Sequence, residues 1–151
     1  MKLYKNFNIS KNHKKSIILI GNFDGVHIGH QKLFKLANRY KKKFNLDIGV
    51  LTFEPMPKMF FNKDIKNFRI SNINQKNIIL KNQGVDFVIT QKFNKKFSMI
   101  KSNFFIREVL SNKLEAEYIF VSSNFKFGNK REGNVNQLIK NEKIYDYKIV
   151  K

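Results

Sequence analysis

The 151-residue sequence predicts one α/β domain: a Rossmann-like parallel sheet of about five strands with helices on both faces. Three observations predict it. Short β-branched runs alternate with amphipathic stretches of helix length. The stretches between runs are long enough for right-handed crossovers. No repeat or linker interrupts the alternation, so a single domain accounts for residues 1–151.

Ser16 to Asn22, SIILIGN, is apolar and β-branched, as a strand covered on both faces requires. From Ile28 to Phe44, Leu33, Phe34, Leu36, Ala37 and Tyr40 recur at helical spacing. Asp47 to Phe53 reads as the second strand, stopped by Pro55 and Pro57. Residues 58–70 read as a loop with room for a short helix. Ser71 is the expected cap of a helix reaching about Asn82, with Ile73, Ile78 and Ile79 inward and Gly84 ending it. Val85 to Thr90 is the third strand. Ser102 or Asn103 opens a helix whose Phe105, Ile106, Val109 and Leu110 share a face. Glu117 to Ser122 is the fourth strand. A glycine-bearing loop, a helix over Asn134 to Lys140 and a strand over Tyr145 to Val150 complete the chain.

The chain is 42% hydrophobic with sixteen Phe, so it can bury a core and is not disordered by composition. It has no cysteine, which rules out disulfides and thiolate metal sites and fits a cytoplasmic location. The apolar run Ile17 to Ile20 is too short for a signal core or a membrane span. The formal net charge of +19 suggests a polyanion partner. Yet the lysines are spread over every element, so compositional bias explains the charge better than nucleic-acid binding does. Lys41, Lys42 and Lys43 suit a helix C-terminus. A positive field also draws in phosphorylated substrates.

Ligands of such sheets sit beyond the carboxyl ends of the strands. Three unusual loops are expected there: GNFDGVHIGH, TFEP and SSNFKFGNKREG. In the first, Gly21, Gly25 and Gly29 allow a sharp turn. His27 precedes the helix and His30 lies in its first turn. Residues three apart face the same side, and the free N–H groups there favour an anion. The expected site is therefore for phosphate. A pair of plain surface or capping histidines is the bland alternative. A zinc site is another, but no third ligand is evident, so no metal ligand is expected. The glycines form neither a dinucleotide fingerprint nor a Walker A loop.

H-x-G-H in this position resembles the nucleotidyltransferase superfamily. The longer string Gly21 to Gln31 resembles the bacterial FAD synthetase module of bifunctional riboflavin kinase/FAD synthetase. Further pieces resemble it in the same order: Val50 to Pro55, Arg69-Ile70 with Lys76, Gly84 to Asp86, Phe104 to Ile106 with Leu110, and Asn124 to Gly128 with Arg131 and Gly133. The resemblance runs from about Ser16 to the C-terminus. It implies FMN adenylyltransferase activity: ATP and FMN, with Mg²⁺, give FAD and pyrophosphate. It implies His27 and His30 as the catalytic pair. Gly21, Asn22, Phe23, Asp24, Gly25, Gly29 and Arg131 would meet ATP. Asn124, Phe125, Phe127 and Gly128 would meet the flavin, and aromatic rings suit an isoalloxazine face. A separate riboflavin kinase is a partner it allows.

The chain departs from that family in three places. TFEPMP stands for TFEPHP, so Met56 is expected to lose a contact to triphosphate, a thioether being no donor. Ser122 replaces the usual glycine and is expected to crowd the flavin loop. The family's Ser/Thr-rich phosphate segment and its riboflavin kinase domain do not appear before Lys151, so the chain is expected to be truncated at its C-terminus. A flavin- or nucleotide-binding remnant without turnover is therefore a competing expectation. So are a basic nucleic-acid-binding domain and, disfavoured by NFKFG, a nucleotidyltransferase acting on pantetheine phosphate or glycerol phosphate.

Overall fold

The computed structural model describes residues 1–64 and 72–151. Arg69, Ile70 and the expected cap Ser71 fall outside them. The strands are β1 (Lys2–Tyr4), β2 (Ile17–Ile20), β3 (Ile48–Glu54), β4 (Phe87–Lys92), β5 (Tyr118–Phe120), β6 (Lys126–Phe127), β7 (Gly133–Asn134) and β8 (Lys148–Val150). The longer helices are α1 (Ile28–Phe44) and α3 (Ile73–Asn82). Shorter ones are α2 (Pro57–Phe61), α4 (Lys95–Ser98), α6 (Val135–Lys140) and α7 (Glu142–Tyr145). α5 starts at Ser102–Phe104 and continues over Phe105–Lys113 with π-type hydrogen bonding.

Six strands form one parallel sheet in the order β1-β4-β3-β2-β5-β8. β6 and β7 pair separately as a short antiparallel ribbon. The sheet thus has one strand more than expected, because β1 pairs with β4 at the edge. β2 lies centrally, and the chain steps from it to β3 on one side and later to β5 on the other. The gap between β2 and β5 is the topological switch point. Every loop after a strand of this sheet leaves at the same edge.

Alternation along the strands divides the core. Ile17, Leu19, Ile48, Val50, Val88 and Phe120 pack with Phe34 and Ala37 of α1 and Leu80 of α3. Ile18, Ile20, Leu51, Phe87, Ile89 and Ile119 pack with Phe105, Ile106, Val109 and Leu110 of α5 and Leu138 of α6. Helices therefore cover both faces, as the apolar patterns of α1 and α5 predict. Tyr147 ties α6 to the approach of β8, donating its buried hydroxyl to Leu138 O. Burial, with nearby Glu142 and Tyr145 adding to it, holds that phenol well above its ordinary pKa.

Four local expectations need correction. α3 is capped by Asn72, whose side chain accepts from Gln75 N while Gln75 reaches back to Asn72 N, a full capping box. Its inward residues are Lys76 and Leu80, and Ile78 is 61% exposed. β4 starts at Phe87, and Tyr145 ends α7 rather than starting a strand. Asp86 explains the later start of β4. Its carboxylate receives Ile48 N at 2.8 Å and Lys41 Nζ at 2.7 Å, locking the lead-in residues to β3 and α1.

Candidate nucleotide site

The first loop leaves β2 at Gly21, whose N–H extends the ladder to Leu51 O at 3.1 Å. Phe23 and Gly25 both take positive φ, 50° and 56°, and turn the chain back over the sheet end. Phe23 anchors the turn, its ring buried against Phe34 and edge-on to His30 at 5.2 Å. His27 is the N-cap of α1: its Nδ1 accepts Gly29 N–H at 3.1 Å. Nδ1 then carries no proton, and the neutral ring holds its proton on Nε2 as a donor. His30 stacks on His27 with ring centroids 3.7 Å apart and planes 21° apart. A Cβ at Gly29 would lie 3.0 Å from His27 Cε1, so the capping ring fits closely over the glycine.

His30 Nδ1 is buried and, among the described residues, has no hydrogen-bond partner. Leaving such a group unmade costs about 1–3 kcal/mol, which marks the position as one not shaped for stability. Burial, and secondarily the His27 ring, holds the His30 imidazole below its ordinary value of 6.5.

Lys76 of α3 reaches the same loop from behind. It is only 7% exposed, and its Nζ donates to Asn22 O at 3.0 Å and to Thr52 Oγ1 at 3.2 Å. Thr52 is fully buried near the end of β3. Two residues past β3, Met56 caps α2 with its carbonyl and is 2% exposed. Its thioether is packed away from solvent.

The third loop follows β5. Phe127 is 8% exposed, lies 5.4 Å from Phe105 and stacks on half-buried Phe125 at 5.4 Å. Both rings belong to the α5 face of the core, whereas Phe23, the ring against His30, belongs to the α1 face. Gly128 has φ 79°, and a Cβ there would sit 2.8 Å from Ser102 N, so the ribbon presses on the start of α5. Glu132 completes that contact by accepting Ser102 N at 2.8 Å. Arg131 is exposed between β6 and β7 with φ 57°. Ser122 Oγ donates to Asn124 Oδ1 at 2.9 Å.

These features invite comparison with known proteins. The FAD synthetase family profile matches residues 9–151, nearly the whole chain. This chain belongs to the FAD synthetase family. It is 36% identical over 144 residues to the bifunctional riboflavin kinase/FMN adenylyltransferase of Buchnera aphidicola subsp. Acyrthosiphon pisum, covering 95% of this chain and 46% of that one. The Escherichia coli K12 enzyme of the same description is 35% identical over 136 residues, covering 89% and 44%. The chain thus spans about half the length of the curated relatives it matches. Among solved structures, one described as a macrolide-efflux protein from Streptococcus pneumoniae superposes with a TM-score of 0.77 at 25% identity, over 98% of this chain and 48% of that one. A pantoate-β-alanine ligase from Francisella tularensis, described as complexed with β-γ ATP and β-alanine, gives 0.58 at 16% identity, covering 99% and 66%. That second likeness speaks for the nucleotidyltransferase-like fold alone.

In this FAD synthetase family member, the fold gathers Gly21 to Gly25, His27, Gly29 and His30 at the end of β2. Asn124, Phe125, Phe127 and Gly128 leave from the neighbouring strand on the same sheet edge. Their rings are engaged with α5 rather than with the histidines. Sequence reasoning gave Lys76 no role and missed Thr52. Its place in the family pattern marks Lys76, but only the register of α3 shows that it is buried.

Proposed function

We propose that the chain is an FMN adenylyltransferase, forming FAD and pyrophosphate from ATP and FMN. A phosphate oxygen of FMN attacks the α-phosphorus of ATP in line. The bond from that phosphorus to the bridging oxygen breaks, and pyrophosphate leaves with the electron pair. No covalent enzyme intermediate is required, so the protein's work is placement and charge stabilisation. The observation that carries this reading is the stacked imidazole pair at the N-terminus of α1, in a chain of this family.

His27 offers an Nε2–H donor whose direction is set by its cap. His30 takes up positive charge more readily once an anion is beside it. The free N–H groups at the start of α1 add to the same field. Asn22 and Asp24 flank the turn, and Arg131 is assigned to phosphate by resemblance only. Asn124 and Phe125 are the flavin candidates. Phe127 has little free ring surface, so its part is to back Phe125. Mg²⁺ would come with the triphosphate, since it keeps its waters and takes one or two carboxylates. Asp24 is the carboxylate in the turn.

Buried Met56 favours a second reading, a chain that binds nucleotide or flavin without turnover. One experiment separates the two. The chain is incubated with ATP, Mg²⁺ and FMN, and FAD is sought by chromatography, with His27→Ala as control. FAD formed by the native chain and lost in the control is the expected result. Tight FMN binding without product selects the second reading. Neither binding nor product removes both.

A further inference from the structure

We propose that Lys76 is a positioning residue of the nucleotide loop: its buried ammonium clamps Asn22 O and Thr52 Oγ1 and so sets the loop's shape behind the phosphates. The inference rests on the adenylyl-transfer reading above and adds a residue to it. Lysine is among the residues least often buried, because its charge must leave water. Here the residue is buried, and the ammonium ends on the loop after β2 and the end of β3 rather than in solvent.

The two bonds join three elements: α3, the end of β3 and the loop after β2. The bond to Asn22 O carries directional information. In a trans peptide the following N–H points opposite to the carbonyl. Holding Asn22 O towards Lys76 therefore turns Phe23 N–H the other way, out of the loop. The same bond supports Phe23 at its positive φ of 50°, a conformation an aromatic residue adopts only when its surroundings enforce it. The Phe23 ring in turn packs edge-on to His30. Lys76 thereby connects α3 to the histidine pair through one peptide and one ring.

Were Lys76 only structural, its loss would leave Asn22 O and Thr52 Oγ1 unmet and lower stability without changing ATP affinity in the folded chain. The two roles therefore predict different readouts. The test is ATP binding by titration calorimetry in Mg²⁺ buffer, with FMN binding and thermal stability measured beside it. For Lys76→Met the expected result is ATP affinity down at least tenfold in the folded chain, FMN affinity within twofold and a lowered melting temperature. Lys76→Gln, a neutral donor, should recover part of the loss. ATP affinity within twofold of native in a folded Lys76→Met chain overturns the proposal. If Lys76→Met does not fold, Lys76→Gln is judged by the same twofold limit. Failure of both to fold makes the residue structural and also overturns it. A native chain that binds neither ATP nor FMN removes the functional reading itself, a different outcome from native binding retained in Lys76→Met.

Discussion

The two ends of the sheet treat their histidines differently. At the end where β2 and β3 begin, His13 stacks on Phe87 at 4.5 Å, and its Nδ1 is paired with Tyr4 Oη at 2.7 Å. The His13 carbonyl takes Ser16 Oγ–H at 2.7 Å, and nearby Asp86 binds both Ile48 N and Lys41 Nζ. At the opposite end, His30 keeps a buried nitrogen without a partner among the described residues, and Phe23 holds a left-handed backbone. Both ends have histidine, aromatic rings and a helix-borne lysine. One end satisfies its polar groups, and the other leaves a buried one unmet. Proteins concentrate such unmet groups and left-handed residues at sites that act.

The largest effect that would sharpen this contrast is His27→Ala. It should lower FAD formation by about a hundredfold or more, the usual cost of one preorganised donor. Its melting temperature should fall only by what a lost cap costs, about 1 kcal/mol. Next comes Asp86→Ala, which strands Ile48 N–H and Lys41. Urea unfolding should report about 1–3 kcal/mol of lost stability, with ATP affinity unmoved. Loss of ligand binding there would break the division of labour between the ends.

A smaller pair of changes tests the sign directly. His30→Phe removes the orphaned nitrogen and keeps an aromatic ring beside Phe23. It should raise stability by about 1 kcal/mol while abolishing nucleotide binding. His13→Phe should lower stability by about 1 kcal/mol, because Tyr4 loses its nitrogen partner. Equal signs would refute the comparison.

The smallest effect is a pH slope. The folded pKa of His30 lies below its ordinary 6.5, so the unfolded chain takes up a proton first as pH falls. This stability contribution is whole above 6.5 and declines as pH drops below it. Unfolding curves at successive pH values should show that decline in the native chain, and less of it in His30→Phe. ATP affinity should move the other way, rising as pH falls, because a bound phosphate favours protonated His30.

Much of this was legible in the sequence because local rules carried it. The β-branched runs and prolines located β2 and β3, and glycines with two histidines marked the first loop. Other features were settled only by tertiary packing. β1 has three residues and no period to read. In α3, isoleucine is so frequent that Ile78 looks as inward as Leu80, and only docking on the sheet turns Lys76 under and Ile78 out. Nothing in residues 105–113 signals π-type bonding. Phe127 reads equally as a flavin platform or as core, and its place beside Phe105 gives most of its ring to the core.

The close fit of Gly29 beneath the His27 ring has a consequence for the imidazole's hydrogen. A methyl at position 29 would meet Cε1 at 3.0 Å and Nδ1 at 3.2 Å, so the ring must give by a few tenths of an ångström and loosen its bond to the backbone amide. A looser bond at Nδ1 weakens the preference for the proton on Nε2, and the other tautomer presents an acceptor outwards. A change at a residue with no chemistry of its own would thus alter the balance of donor and acceptor presented to a ligand, with both histidines still in place.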